Sequence, residues 1–356
     1  MSTVFLESHN IKNPYFGFGQ FNYHLLNAFA KNHAKSFAFT AHVKNINHWK
    51  NEFGNDFNFK KYFSWRRYPA LRIRKKYDIW HSLNQNTKIE PFYNLPYLLT
   101  VHNITHIKNP NDYFSESEHI RFQEKLKRSH AITYISEYAK KSTHEFFEVP
   151  KVQEYVIYNG NPITQETLKK DFTPKINPDK PFLFSIGEFT KRKNFESLIH
   201  LIKEIPEYQL IIAGKNSTKT GEDILNLIKK EGLEHRVHIP GIVSDQAKQY
   251  YYKHCSAFLF PSLREGFGLP VIEAMRFKKP VFISNNTSLP EIGGELAFYW
   301  NNYDPIYMAK VFEEGMEKFL ENKSVFENKL LTHSQQFSWK KAAESYCQVY
   351  NELLKL

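Results

Sequence analysis

Two glutamates and a basic triplet have the types and spacing that suit chemistry. Glu265 and Glu273 lie within Phe260-Pro-Ser-Leu-Arg-Glu-Gly-Phe-Gly-Leu-Pro-Val-Ile-Glu-Ala-Met275, separated by seven residues. Ala257-Phe-Leu-Phe-Pro261 before them reads as a short buried strand, and Gly266 and Gly268 permit a backbone path that other residues resist. Pro270 suits the first turn of a helix. The backbone N–H groups of Phe267, Gly268 and Leu269 at such a turn, with the positive end of the helix dipole, favour a diphosphate. The side chains of Phe267 and Leu269 suit core packing at the same time. Glu273 then lies one turn beyond Leu269, roughly 5.4 Å along the axis. One carboxylate is therefore expected beside a sugar and the other beside a ribose, where it can accept from two hydroxyls.

Further upstream, Lys191-Arg192-Lys193 falls between a strand ending at Gly187 and a helix starting at Asn194. Alone, the triplet also fits a solvated basic turn. Tyr15-Phe-Gly-Phe-Gly-Gln20 lies between a first strand and its helix, which an ordinary two-glycine turn would explain. His102 ends a strand in Leu99-Thr-Val-His-Asn-Ile-Thr105, at the carboxyl edge where ligands of doubly wound sheets bind.

In these segments the chain resembles the retaining, nucleotide-sugar-dependent glycosyltransferases of family 4, which carry a Glu-x7-Glu signature and the GT-B fold of two facing Rossmann-like domains. The resemblance extends through Gly187-Glu-Phe-Thr-Lys-Arg-Lys-Asn194, Ile211-Ile-Ala-Gly214, Gly241-Ile-Val-Ser-Asp245 and Pro280-Val-Phe-Ile-Ser-Asn-Asn-Thr-Ser-Leu-Pro-Glu-Ile-Gly-Gly294, most of the C-terminal half. It implies that Lys193 binds phosphate, that Glu265 binds sugar hydroxyls and orients the anomeric carbon, and that Glu273 holds the ribose. It also implies that His102 contacts the donor sugar and that the Gly17 and Gly19 loop approaches the diphosphate. The implied catalytic set is His102, Lys193 and Glu265. The implied donor site adds Gly17, Gly19, Gly187, Arg192, Gly214, Val243, Gly266, Phe267, Gly268, Leu269 and Glu273. Two departures stand out. Glu188 occupies the place where many members carry a phosphate-binding arginine, leaving Arg192 or Arg264 to compensate, and Asn103 stands where an aspartate often follows the histidine.

Charge on the leaving phosphate must be neutralised by a metal or by fixed cations and N–H groups. No Asp-x-Asp motif follows a strand, so transfer is expected without a metal or cofactor. Retention of anomeric configuration is implied by the resemblance. Ser288-Leu-Pro-Glu291 with Arg192-Lys-Asn194 resembles the mannosyltransferase-like branch that builds bacterial surface polysaccharides, which makes GDP-mannose the first expected donor and a UDP-sugar the second. A GT-B sugar-nucleotide epimerase and a nucleic-acid-binding protein are the rival readings. The first lacks a convincing acid and base set, the second a recognisable module.

The elements that must position these residues alternate between strand and helix, which argues for parallel sheets covered on both faces. Strands are expected at Thr3–Glu7, 36–42, 77–81, 97–102 and 131–135, with helices at 21–31, 116–128 and 137–147. A second alternation runs from Phe182 through the helix containing Glu273 to the strand at 280–284. Three prolines between Pro174 and Pro181 suggest an extended connector. The expected domains are residues 1–172 on the acceptor side, 173–337 on the nucleotide-sugar side, and a helix, 338–356, packing back on the first.

Composition sets the outer bounds. A chain of 356 residues with 31 Phe and 21 Tyr can bury two cores and is not disordered. Its two cysteines, Cys255 and Cys347, have no spaced partner, which fits a reducing cytoplasm. The N-terminus lacks the pattern of a signal peptide, and no apolar run is long enough to span a membrane. Residues 1–172 hold 24 Lys and Arg against 15 Asp and Glu, or +9 of the total +11. Within this half, Lys60, Lys61, Arg66, Arg67, Arg72, Arg74, Lys75 and Lys76 form eight cations with no acidic residue among them, interleaved with Tyr62, Phe63, Trp65 and Tyr68. That segment fits an anionic membrane surface, a site for an anionic acceptor, or a solubilising stretch. A cytoplasmic enzyme, peripheral on the inner face of the membrane and acting on a glycan or lipid-linked acceptor, is the expectation.

Overall fold

The computed structural model of the chain describes residues 1–13, 17–33, 35–55, 57–104 and 116–355. They divide into two compact units, Met1–Pro162 with Phe337–Leu356, and Ile163–Gln336.

Unit 1 is built on seven strands: β1 (Thr3–Glu7), β2 (Ala38–Val43), β3 (Asn58–Lys61), β4 (Ile79–Ser82), β5 (Tyr97–Val101), β6 (Ala131–Tyr134) and β7 (Gln153–Val156). Their order in the sheet is β3-β2-β1-β4-β5-β6-β7, and every pairing is parallel. Strands β4, β5 and β6 are short and buried along their whole length, as a sheet covered on both faces requires. The helices are α1 (Gly17–His33), α2 (Ile46–Phe53), α3 (Glu116–Arg128) and α4 (Glu137–Phe146). Ser136 caps α4 by accepting from the Ala139 N–H.

Unit 2 has β8 (Phe182–Ile186), β9 (Gln209–Ala213), β10 (Val237–Gly241), β11 (Ala257–Phe260), β12 (Val281–Ser284) and β13 (Phe298–Trp300), in the order β10-β9-β8-β11-β12-β13 and again parallel throughout. Its helices are α5 (Phe195–Glu204), α6 (Lys219–Lys230), α7 (Asp245–His254), α8 (Leu269–Arg276), α9 (Leu289–Gly293), α10 (Pro305–Glu321) and α11 (Lys323–Gln336). One apolar cluster centres on Leu183, Leu198, Leu210 and Phe312, another on Phe184, Ile211, Phe258 and Met275. Residues adjacent in β8, β9 and β11 enter different clusters, so the alternating side chains of a strand supply both faces.

The last helix, α12 (Trp339–Leu353), belongs to unit 1. The Tyr350 hydroxyl lies 2.7 Å from His81 Nδ1, and His81 Nε2 lies 2.8 Å from Thr100 Oγ1, all buried. This polar chain fastens the helix to β4 and β5. Burial holds the His81 pKa down to about 3, so the ring is neutral.

The units divide at Pro162/Ile163, earlier than the boundary expected at residue 172. The Thr167 N–H donates to Gln249 Oε1 at 2.9 Å, and Gln249 Nε2 donates back to the Thr167 hydroxyl at 2.8 Å. Lys169 N–H likewise donates to Gln246. These bonds commit the segment after Ile163 to α7, and the proline-rich stretch begins inside unit 2.

Candidate functional site

In each unit the strand order reverses beside the first strand, at β1/β4 and at β8/β11. Ligands of open parallel sheets bind outside the carboxyl ends of strands at such points. In unit 2 the loops leaving β8 and β11 carry Lys193 and Glu265.

These loops are bonded to each other. The Arg192 carbonyl accepts from the Leu263 N–H at 2.7 Å and from the Ser262 hydroxyl at 3.1 Å. Glu265 Oε1 then receives Lys193 Nζ at 2.6 Å, Arg192 Nη1 at 2.9 Å and Ser262 Oγ at 2.7 Å. The Glu265 N–H donates to Thr287 Oγ1 at 3.0 Å, and Ser288 Oγ donates to the carbonyls of Glu265 and Phe267. Residues after β12 therefore hold the Glu265 loop from the other side.

Lys193 is 6% exposed, and its Nζ also sits 4.3 Å from the centre of the Phe260 ring. Gly187 leaves room for its stem, since a Cβ there would approach Lys193 Cε to 3.0 Å. Burial acts to raise the Glu265 pKa, but the charges of Lys193 and Arg192 and the bonds from Lys193 and Ser262 prevail and hold it below the usual carboxylate range. Burial lowers the Lys193 pKa, opposed by Glu265. The cluster thus keeps two cations against one carboxylate, a net positive site held partly out of water.

Gly214 has a backbone reason to be glycine: its φ is +136°, and a Cβ would fall 1.9 Å from the Gly187 carbonyl oxygen. Val243 is half-buried between β10 and α7 and packs on the unit's core. Glu188, the residue in place of an expected arginine, pairs with Lys215 at 3.3 Å. Arg192, expected to compensate, donates from Nη1 to Glu265 and to the Arg264 carbonyl.

Gly268, at φ +114°, is the N-cap of α8 and has no side chain of its own to cap it. Pro270 has no N–H and the Val271 N–H donates to the Gly268 carbonyl at 2.9 Å, so the Gly268 and Leu269 amides are the ones this turn can offer an anion. Gly266 and Phe267 are buried beneath this turn. Glu273, on the same helix, is 6% exposed. Its Oε2 accepts from the Tyr252 hydroxyl at 2.8 Å, and its Oε1 lies 3.4 Å from Lys248 Nζ. Tyr252 and Lys248 stand one turn apart on α7 and present one face to it. Burial, then the Glu273 charge and hydrogen bond, pushes the Tyr252 pKa well up, so it remains a donor.

In unit 1, His102 follows β5 and is 5% exposed. Its Nε2 lies 2.8 Å from the Leu83 carbonyl and must donate there, which leaves Nδ1 as the acceptor nitrogen. Burial lowers its pKa to about 4. The rings of Phe18 and Phe21 meet it edge-on at 5.0 and 4.4 Å. Gly17 and Gly19 lie in the first turn of α1, not in a loop before it as expected. A Cβ on Gly19 would fall 1.8 Å from the Asn13 carbonyl oxygen, so close packing explains that glycine. Tyr15 and Phe16 of the same motif, and Thr105 beyond His102, lie outside the described residues.

Sequence reasoning passed over a second buried carboxylate. Glu7, at the end of β1 and fully buried, meets His42 Nδ1 at 2.8 Å and His9 Nδ1 at 2.8 Å. Burial opposes its charge, yet the two histidines prevail through charge and hydrogen bonds and hold its pKa down to about 2. Ser262, Thr287, Ser288, Lys248 and Tyr252 were also passed over. Of these only Ser262, three residues before Glu265, gave a local signal.

Residues 166–337 match the family described as Glycosyl transferases group 1. Over 249 residues, 65% of this chain, the sequence is 29% identical to the serotype-specific mannosyltransferase WbdA of Escherichia coli, and the match spans 30% of that relative's length. It is 30% identical over 274 residues to the glycosyltransferase MJ1178 of Methanocaldococcus jannaschii, covering 73% of this chain and 69% of the relative. The crystal structure of Anabaena HepE in complex with UDP-glucose aligns over 99% of this chain and 100% of its own with a TM-score of 0.74 at 14% identity, which shows a shared fold. The two parallel Rossmann-like sheets are those of the GT-B architecture. Residues 166–337 carry a group 1 glycosyl transferase domain, and the chain belongs to the glycosyltransferases.

Proposed function

We propose that the chain transfers a mannosyl group from GDP-mannose to a glycan or lipid-linked acceptor in surface polysaccharide synthesis, with retention of configuration and without a metal. The observation that carries this reading is the cluster of Lys193, Arg192 and Glu265 in the loops beside the glycine turn that opens α8. As the bond from sugar to diphosphate breaks, charge builds on the leaving phosphate. Lys193, Arg192 and the Gly268 and Leu269 amides of the glycine turn meet that charge, and they are fixed before the reaction begins. Glu265, held ionised, orients the sugar hydroxyls, and Glu273 accepts from the ribose. His102 contacts the donor sugar through its acceptor nitrogen. Similarity to a mannosyltransferase supports the choice of sugar.

A UDP-sugar donor is the second reading, supported by the fold shared with a UDP-glucose complex. A thermal-shift panel of GDP, UDP and ADP separates the two, since a ligand that binds only the folded state raises the midpoint by mass action. The larger rise is expected with GDP. Turnover should persist in EDTA, and the product anomer should keep the donor's configuration by NMR. A panel in which no nucleoside diphosphate raises the midpoint would sink the donor-site reading.

Among the described residues no helix is long and apolar enough to cross a membrane. The basic segment 60–76 supports peripheral docking on the cytoplasmic face. Trp65, Tyr68 and Leu71 are 54%, 52% and 52% exposed, and Arg66 and Arg67 lie over the rings of Phe63 and Tyr68. Each cation near anionic lipid contributes about 1 kcal/mol. The protein should sediment with anionic vesicles, less so at high salt, and the joint replacement of Arg72, Arg74, Lys75 and Lys76 by Gln should abolish this while sparing nucleotide binding. Equal sedimentation with neutral vesicles would remove the charge-based docking.

A further inference from the structure

Unit 1 carries a pocket of about 970 Å³ at the carboxyl ends of β1, β2 and β3. Lys12 follows β1, Lys44 follows β2 and Lys61 ends β3, so three separate segments each bring one lysine to the lining. Trp49, Tyr62 and Phe63 supply the rings. No carboxylate lines the pocket, and none of the three lysines forms a salt bridge among the described residues. Two are already near rings: Lys12 Nζ is 6.0 Å from the centre of Tyr62, and Lys61 Nζ 5.4 Å from that of Phe63.

The Tyr62 wall is tied to the interior. His9 stacks on Tyr62 with centroids 4.3 Å apart and planes 12° from parallel, and His9 is itself bonded to buried Glu7. Trp49 is 8% exposed and anchors the opposite segment. The volume falls in the range of pockets that hold small ligands.

We propose that this pocket binds the acceptor through a phosphate beside a sugar ring. Three lysines act as point charges around a compact polyanion, whereas a carboxylate is matched best by the planar fork of arginine, and no arginine lines the pocket. The rings take the C–H face of the sugar. A soluble glycosyl phosphate and a sugar on a lipid diphosphate share this chemistry. The inference rests on the glycosyltransferase reading for the word acceptor, and the pocket itself lies wholly in unit 1.

The test follows the Trp49 indole resonance by nitrogen-proton NMR, assigned with Trp49→Phe, in protein saturated with the nucleoside diphosphate that binds best. Saturation occupies the donor site, so phosphate added later reports elsewhere. The probes are glucose 1-phosphate, a short-chain prenyl diphosphate glucose in detergent, glucuronate and glucose. Either phosphorylated probe should shift Trp49, and the one that binds tighter identifies the source as soluble or lipid-linked. The combined Lys12→Gln, Lys44→Gln, Lys61→Gln variant should weaken that binding by about tenfold or more, as loss of charged partners does, while nucleotide affinity stays the same. A silent Trp49 with both phosphorylated probes, a response to glucuronate or glucose of equal strength, or unchanged binding in the triple variant would each overturn the proposal. Retained nucleotide binding alongside a silent Trp49 would defeat the pocket alone. A Trp49 response in a protein that binds no nucleotide would defeat the functional reading alone.

Discussion

Each unit places a carboxylate with low exposure at the carboxyl edge of its parallel sheet, but the two are balanced by different partners. Glu7 ends β1 and faces His9 and His42, groups whose charge depends on pH. Glu265 follows β11 and faces Lys193 and Arg192, which carry charge across the physiological range. The histidine cluster closes on itself and ties β1 to β2. The lysine and arginine cluster keeps more positive charge than its own carboxylate uses. Where we propose that a leaving diphosphate is met, the chain places a lysine and an arginine, and it places histidines where the contact holds two strands together.

The strongest way to break this contrast is Lys193→Met. If Lys193 serves the leaving group, turnover should fall on the order of a hundredfold or more. The thermal midpoint should move little, because burial already disfavours the Lys193 charge and Arg192 remains on Glu265. A large drop in midpoint with turnover preserved in the folded fraction would make Lys193 structural and erase the difference between the two clusters.

Glu7→Gln probes the other side. The Glu7 pKa is lowered in the folded state, to about 2 from 4.5. The unfolded state therefore binds more protons between these values. The stabilisation is fully present above pH 4.5 and is lost as pH falls toward 2. Its size is on the order of 3 kcal/mol by linkage. Buried His81 and His102, lowered to about 3 and about 4 from 6.5, add loss of the same sign, beginning below pH 6.5. Denaturant unfolding across pH should show the variant with a shallower slope below pH 4.5, where His81 and His102 still contribute down to about 3 and about 4, and an unchanged slope above it. Identical slopes in both proteins would mean that Glu7 keeps no lowered pKa.

Much of unit 2 was legible because its signals are local. Gly268 and Pro270 mark the start of α8, and strands such as Phe182–Ile186 and Gln209–Ala213 are bounded by turn residues. The cluster around Glu7 joins residues 35 apart in sequence. Its signal was the parallel register: Leu6 pairs with Ala41, which sets Glu7 beside His42 at adjoining strand ends. Strands β3 and β7 were missed because they are short, with at most half-buried positions, and carry no apolar run, whereas β13, Phe298–Trp300, is aromatic but only three residues long. Tyr252 and Lys248 carry no local sign of Glu273, since only the packing of α7 on α8 brings them there.

Glu273→Ala should weaken donor and free nucleotide alike by about 1.5 to 3 kcal/mol, as loss of a charged hydrogen-bond partner does. Glu265→Gln should lower turnover more than nucleotide affinity. Titration calorimetry with the preferred nucleotide, beside initial rates, measures both. Equal and negligible effects would remove the division of labour between the two carboxylates.

The smallest expected effect is also the sharpest. Tyr252 donates to one oxygen of Glu273 and Lys248 approaches the other, so each oxygen keeps a lone pair for one ribose hydroxyl. Tyr252→Phe removes the shorter of these contacts and loosens the carboxylate without removing it. Affinity for the ribonucleoside diphosphate should fall by about 1 kcal/mol. The 2′-deoxy analogue engages one hydroxyl fewer and should lose less, so the ratio of the two affinities should narrow. A Tyr252 that serves only the packing of α7 on α8 would lower both affinities by the same factor and leave that ratio where it was, and Glu273 would then be a helix-pairing residue rather than the ribose acceptor.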